Sequence, residues 1–306
     1  MHMSDSQDVA QNPKLLGQLR EALRSRHYSR QTEQTYVMWI RRFIHFHNLR
    51  HPTEMGETEI NAFLTHLALK GRVSASTQNQ ALSALLFLYR HVLNRQIGEL
   101  REVVRARRPL RIPIVMTRDE ARAVLKRLSG KKWLIAALMY GAGLRIMECL
   151  RLRVQDIDFA SSQIIVRDGK GNQDRVTMLP EVVHKPLRNH LKQVKAIHKQ
   201  DLEDGFGRVF MPYALERKYP NAAFEWGWQW VFPQQRRWRD PKTGQQGRHH
   251  MDESIVQRAV KEAVRRAGIA KRASCHTFRH HAELRIMPSR DTRSMEGWQQ
   301  SKLYSA

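Results

Sequence analysis

Two short runs carry side chains that could act on a phosphodiester. Gly143-Leu144-Arg145-Ile146-Met147-Glu148 supplies one arginine, and the later run His276-Thr277-Phe278-Arg279-His280 supplies a second arginine beside a histidine. A guanidinium stays charged at any physiological pH, and its planar fork can bind two phosphate oxygens at once. An imidazole titrates near neutrality and can take or give a proton. Such a set suits a nucleic-acid backbone under attack. Taken singly, such an arginine is more often a structural helix residue than a catalytic one, and only the company of Arg145 argues for more.

Composition points the same way. The chain has 306 residues with 53 Lys and Arg against 29 Asp and Glu, a formal net charge of +24. The excess is dispersed rather than confined to a tail, so a basic folded surface with salt-dependent binding to nucleic acid is expected. A basic structural protein that coats nucleic acid without preference is the rival reading. Hydrophobic residues make up 41%, enough for real cores and about two domains. Cys149 and Cys275 are the two cysteines, which excludes a disulfide framework and fits a reducing compartment. No apolar run reaches the length of a membrane span, and the polar start MHMSDSQDVAQNPK lacks a secretory core. The expectation is a cytoplasmic protein with no membrane partner.

The elements that must position these residues follow from periodicity. Helices are predicted from Pro13 over LLGQLREALRSR, after Ser29 over QTEQTYVMWIRRFIHFHN, over ETEINAFLTHLALK, and over STQNQALSALLFLYRHVL. In the second of these Tyr36, Trp39, Ile40, Phe43 and Ile44 recur at helical spacing, and in the fourth Leu82, Leu85, Leu86, Tyr89 and Leu93 make a broad apolar face. Arg41, Arg42, Lys70 and Arg72 fit solvated helix faces or phosphate contacts equally well. The reading is a helical domain over 13–100, then a basic linker over 101–112. Within REVVRARRPLRIP, Pro109 and Pro113 oppose a continuous helix. The second domain, 113–306, opens at Thr117-Arg-Asp-Glu120, which has capping-box spacing. KKWLIAALMYGAGLRIMECLRLRV reads as helix, Gly-rich break and helix, with Arg145 in the first turn of the latter. SSQIIVRDGKGNQDRVTMLP reads as a hairpin with Lys170 at its tip, a position as suited to a solvated turn lysine as to chemistry. EVVHKPLRNHLKQVKAIHKQ and MDESIVQRAVKEAVRRAG are further helices, the last with Asp252 near its positive end. The fold class is thus mainly α with a small β-sheet or hairpin.

An arginine after a Gly-rich break, a lysine at a hairpin tip and His-x-x-Arg opening a late helix together resemble the tyrosine recombinase (phage integrase) family. The resemblance spans nearly all of the chain and implies a helical core-binding domain followed by a mixed α+β catalytic domain. On that resemblance Arg145 and Arg279 would hold the non-bridging oxygens of the scissile phosphate and stabilise its transition state. Lys170 would protonate the departing 5′ oxygen, and His276 would assist proton transfer at the attacking phenol. The family's reaction passes through a 3′-phosphotyrosine link and needs no metal and no cofactor. His249-His250 and Cys275-His276 lack the ligand spacing of a zinc site.

The stretch ALERKYPNAAFEWGWQWVFPQQRRWRDPKTGQQGRHHMDES, with YSRQTEQTYVMWIRRFIHFHNLRHP in the first domain, resembles the integron integrases. That places an insert at about 205–250, which in the subfamily holds bases protruding from folded single-stranded cassette sites. By motif position the base contacts would be Trp228, Pro241, His249 and His250. Alternation of Trp226, Trp228 and Trp230 is equally that of one buried strand face, while Trp238 joins them among arginines. Beyond His280 the sequence HAELRIMPSRDTRSMEGWQQSKLYSA departs from the family. It has no Leu-Gly-His, Pro288 interrupts the expected helix, and Tyr304 lies 25 residues past Arg279 (304 − 279) and six past Trp298 (304 − 298), closer than the family pattern. Residues 281–306 therefore read as an aberrant tail in which Tyr304 is an unpromising nucleophile. Impaired strand cleavage and doubtful self-association on DNA are the corresponding expectations, with a non-cleaving occupant of recombination sites as the alternative.

Overall fold

The computed structural model describes residues 13–98, 114–167, 173–211, 215–241 and 244–279. The whole of the expected 101–112 linker, the hairpin tip with Lys170, and the whole of 281–306 with Tyr304 lie outside the described residues. The chain divides into two compact units between residues 111 and 112.

The first unit is four helices: α1 (Pro13–Ser25), α2 (Arg30–Phe46), α3 (Glu57–Leu69) and α4 (Ala75–His91). Helices α2, α3 and α4 each begin where a side chain satisfies amides that the first turn leaves open. Ser29 Oγ accepts from Thr32 N at 3.1 Å, Ser74 Oγ accepts from Thr77 N at 3.3 Å, and Glu59 reaches back to Gly56 N at 2.8 Å. The apolar stripes meet in one core of Leu19, Leu23, Ile40, Phe43, Phe63 and Leu85. The expected face of α4 is borne out: Leu82, Leu85 and Tyr89 are buried, with Leu86 and Leu93 packed at the margin.

The second unit contains α5 (Arg118–Leu125), α6 (Gly130–Ala142), α7 (Ile146–Leu150), β1 (Ile157–Asp158), β2 (Gln163–Val166), β3 (Arg175–Met178), α8 (Glu181–Glu203), α9 (Leu215–Lys218), β4 (Trp238–Arg239), β5 (Gln246–Gly247) and α10 (Glu253–Arg266). Residues 275–279 add a last helical turn. Helix α6 is apolar on most sides, burying Leu134, Ile135, Leu138 and Met139, because α5, α7, α8, β3 and α10 all pack against it. The capping box at α5 forms as read: Thr117 Oγ1 accepts from Glu120 N at 3.2 Å, and the Glu120 carboxylate accepts from Thr117 N at 2.7 Å. β2 and β3 pair antiparallel, with Val166 opposite Arg175. A short outer strand, β1, which the sequence reading lacked, completes the order β1-β2-β3.

Two expectations need correction. Arg145 precedes α7 as its N-cap and does not sit in its first turn. Trp226–Trp228 is a turn of 3-10 helix, so the alternating tryptophans do not form a strand face. Gln229 fixes this turn, its side-chain amide donating to the carbonyls of Gly207, Ala223 and Glu225.

Candidate nucleic-acid site

Arg145 is presented by the break between α6 and α7. Gly143 ends α6 at φ 66° and ψ 25°, the left-handed region that costs a glycine little and other residues more. The chain then leaves the helix axis, Leu144 is buried, and Arg145 emerges as N-cap with its side chain about one-third exposed. Glu148, three residues on, holds it in place. Its carboxylate accepts from Arg145 N at 2.8 Å and from Arg145 Nη1 at 2.6 Å. Arg175, opening β3, donates two more bonds to the same carboxylate at 3.0 and 2.6 Å. Burial pushes the Glu148 carboxyl up, but the bonds from Arg175 and then Arg145 outweigh it and hold it at about 2. Among the described residues Arg145's guanidinium meets only Glu148, so its other nitrogens can serve an anion.

The second arginine and the histidine come from the 275–279 turn. Phe278 and Cys275 pin this turn to the core, Phe278 meeting Tyr140 edge-on with ring centroids 6.3 Å apart. Ser274 N donates to Thr277 Oγ1 at 3.0 Å, which orders its start. His276 then points to solvent and Arg279 is half-buried. Cys149 of α7 and Cys275 are free buried thiols in one core, close enough to raise the Cys149 thiol electrostatically, a smaller effect than its burial. The α7 start and the 275–279 turn therefore belong to one side-chain cluster.

The 205–250 segment forms its own small core of Val209, Met211, Ala222, Ala223 and Trp230. Its keystone is Arg153, a residue the sequence reading passed over. The guanidinium lies 3.2 Å over the Trp230 ring and donates to the carbonyls of Trp228 at 2.8 Å and Phe210 at 2.7 Å. Burial pulls its pKa down to about 10, partly offset by Asp156. Trp230 is 7% exposed, so it is a structural tryptophan. Trp228 is half-buried at the edge of the same core. His249 and His250 are half-buried against Trp230, with ring centroids 5.7 and 5.3 Å from it and 4.1 Å from each other. Burial pushes the His250 imidazole down to about 4 and lowers His249 as well, so both are neutral rings near pH 7. Pro241 is exposed, apart from this ring cluster in the hydrogen bonds and ring contacts formed. Arg237 and Arg248 pair with Asp201 at the end of α8, so these arginines anchor the segment. Among the described residues no three His, Cys, Asp or Glu side chains converge as metal ligands would.

On the first unit, Arg41 and Arg42 line a groove of about 960 Å³ with Arg20, Arg24 and Arg30, where Glu33 is the acidic member. Glu33 is already paired with Arg24 at 2.9 Å and Arg20 at 3.5 Å, so the groove is strongly basic.

Residues 15–99 match the phage integrase N-terminal SAM-like domain, and residues 115–294 match the phage integrase family. The chain belongs to the phage integrase family. Over 267 residues it is 49% identical to an "Integrase/recombinase" from Escherichia coli and, equally, to one from Pseudomonas aeruginosa, covering 87% of this chain and 79% of each relative. In fold it resembles the Tn1549 transposon integrase in complex with transposon right end DNA (TM-score 0.57, 17% identity, 89% of this chain and 86% of that one). It also resembles a λ integrase dimer bound to a core site (TM-score 0.56, 15% identity, 92% and 93%). The protein is thus a site-specific tyrosine recombinase by family. The family match runs 14 residues past His280 (294 − 280) and stops ten short of Tyr304 (304 − 294).

Proposed function

We propose that this recombinase is of the integron integrase type: a DNA-binding protein for gene-cassette sites, including folded single-stranded ones, with impaired strand cleavage. Arg145 and Arg279 grip the scissile phosphate, Lys170 serves the leaving 5′ oxygen, and His276 serves the attacking phenol. No cofactor takes part. The observation that carries the integron assignment is the cluster of Trp230, His249 and His250 beside half-buried Trp228. His249 and His250, tilted and edge-on against buried Trp230, back an aromatic edge at Trp228, and unpaired bases stack on accessible aromatic rings for about 1–3 kcal/mol each. The basic groove of the first unit supports backbone contact. Impaired cleavage is inferred from the placement of Tyr304, which stands outside the family match and nearer to Arg279 than the family pattern, since covalent catalysis tolerates little misplacement of its nucleophile.

The test is a binding comparison between a folded cassette-site hairpin, a linear duplex of the same sequence and a random duplex. The hairpin should bind most tightly, and Trp228→Ala should weaken the hairpin by roughly tenfold while leaving the duplexes within about twofold, the size of one lost stacking contact. Equal affinity for all three would instead support a basic coating protein. The same reading expects little self-association on DNA, seen as a single complex on the hairpin rather than stepwise ones.

A further inference from the structure

The Arg145–Glu148 pair poses an electrostatic problem. A carboxylate 2.6 Å from the guanidinium that is to hold a phosphate cancels that guanidinium's charge and repels the phosphate as well. Glu148 cannot relieve this by protonation near pH 7, because the four hydrogen bonds that converge on its two oxygens outweigh the upward push of burial. Two of the four come from Arg175. Counted as charges, Arg145 with Glu148 is neutral; with Arg175 the group carries +1.

We propose that Arg175 is a positioning residue for phosphate binding: it saturates and neutralises Glu148 so that Arg145 keeps one nitrogen on the carboxylate and the rest of its charge for the phosphate. Arg175 needs no contact with DNA to do this. Without it, both Glu148 oxygens gain free lone pairs, and Arg145 closes onto them as a two-pronged pair, which is the strongest geometry open to it. The site then presents a neutral, internally satisfied ion pair where an anion should bind. Arg175 also opens the strand opposite β2, so the same pair ties the hairpin to the start of α7. The assignment rests on the reading of Arg145 as a phosphate ligand.

The experiment is a methylphosphonate scan, in which each phosphate of the folded cassette-site hairpin is replaced in turn by an uncharged group. In the unmutated protein one position should cost roughly tenfold or more in affinity, the loss of a charge-assisted contact. Arg145→Gln should abolish that penalty. Arg175→Gln should reduce it to about twofold or less, whereas Arg175→Lys, which keeps the charge, should retain most of it. Glu148→Gln combined with Arg175→Gln should restore it, because the glutamine amide still accepts from Arg145 N but holds no charge to trap the guanidinium. A purely structural brace would not be rescued by that second substitution, so failure of rescue overturns the proposal. If Arg145→Gln abolishes the penalty and Arg175→Gln leaves it intact, the assignment to Arg175 falls alone. If no position shows a penalty in the unmutated protein, or Arg145→Gln leaves it unchanged, the reading of Arg145 falls and this one with it.

Discussion

Glu148 shows how much a single side chain can organise and where its influence ends. Its carboxyl is raised by burial, then held at about 2 by bonds from Arg175 and Arg145, against an ordinary 4.5. A carboxyl depressed by folding contributes stability that is fully present above its unfolded value and is lost as pH falls through its folded value. That contribution should therefore fade between about pH 4.5 and 2. Glu148→Gln should destabilise the second unit near neutral pH and flatten this acid limb, as followed by thermal melting across pH. An unchanged acid limb would mean the ion pairs form no cooperative part of the fold. Gly143 and Arg145 were legible in the sequence because a Gly-rich break before a charged residue is a local signal. Arg175 and Arg153 were not, because each meets partners far along the chain: Glu148 lies 27 residues from Arg175, and the carbonyl of Trp228 lies 75 from Arg153.

At the scale of elements, periodicity and capping residues carried most of the information. The four helices of the first unit, the α5 capping box and the β2–β3 hairpin all stand where spacing placed them, since each is specified within a few residues. The 205–250 segment was harder. Its short 3-10 turns and two-residue strands are fixed by Arg153, Gln229 and the Asp201 pairs, all of which are tertiary contacts with no period of their own. Helix α5 offers a direct check on the local rules. Thr117→Ala removes one half of a reciprocal cap and should cost about 1 kcal/mol, seen as a lower Tm of the second unit. No loss would show that Lys271, which bonds Glu120 at 2.8 Å, holds the helix start alone.

At the scale of the whole molecule, the +24 charge is the dominant feature, and its use differs between the two units. In the first, arginines crowd a groove around a single, already paired glutamate. In the second, Arg153, Arg237 and Arg248 are spent on internal anchors. Hairpin affinity should fall steeply with salt, by about a thousandfold between roughly 50 and 200 mM if six or so phosphates are neutralised. A shallow slope would argue that shape and stacking, rather than backbone charge, carry the affinity.

The most direct test of the account is incubation with a nicked suicide substrate carrying the folded cassette site, followed by a denaturing gel for a covalent protein–DNA adduct. Salt-sensitive hairpin binding with no adduct is the expected result. An adduct that disappears in Tyr304→Phe would contradict it, placing a working nucleophile in residues 281–306 and making this chain an active recombinase.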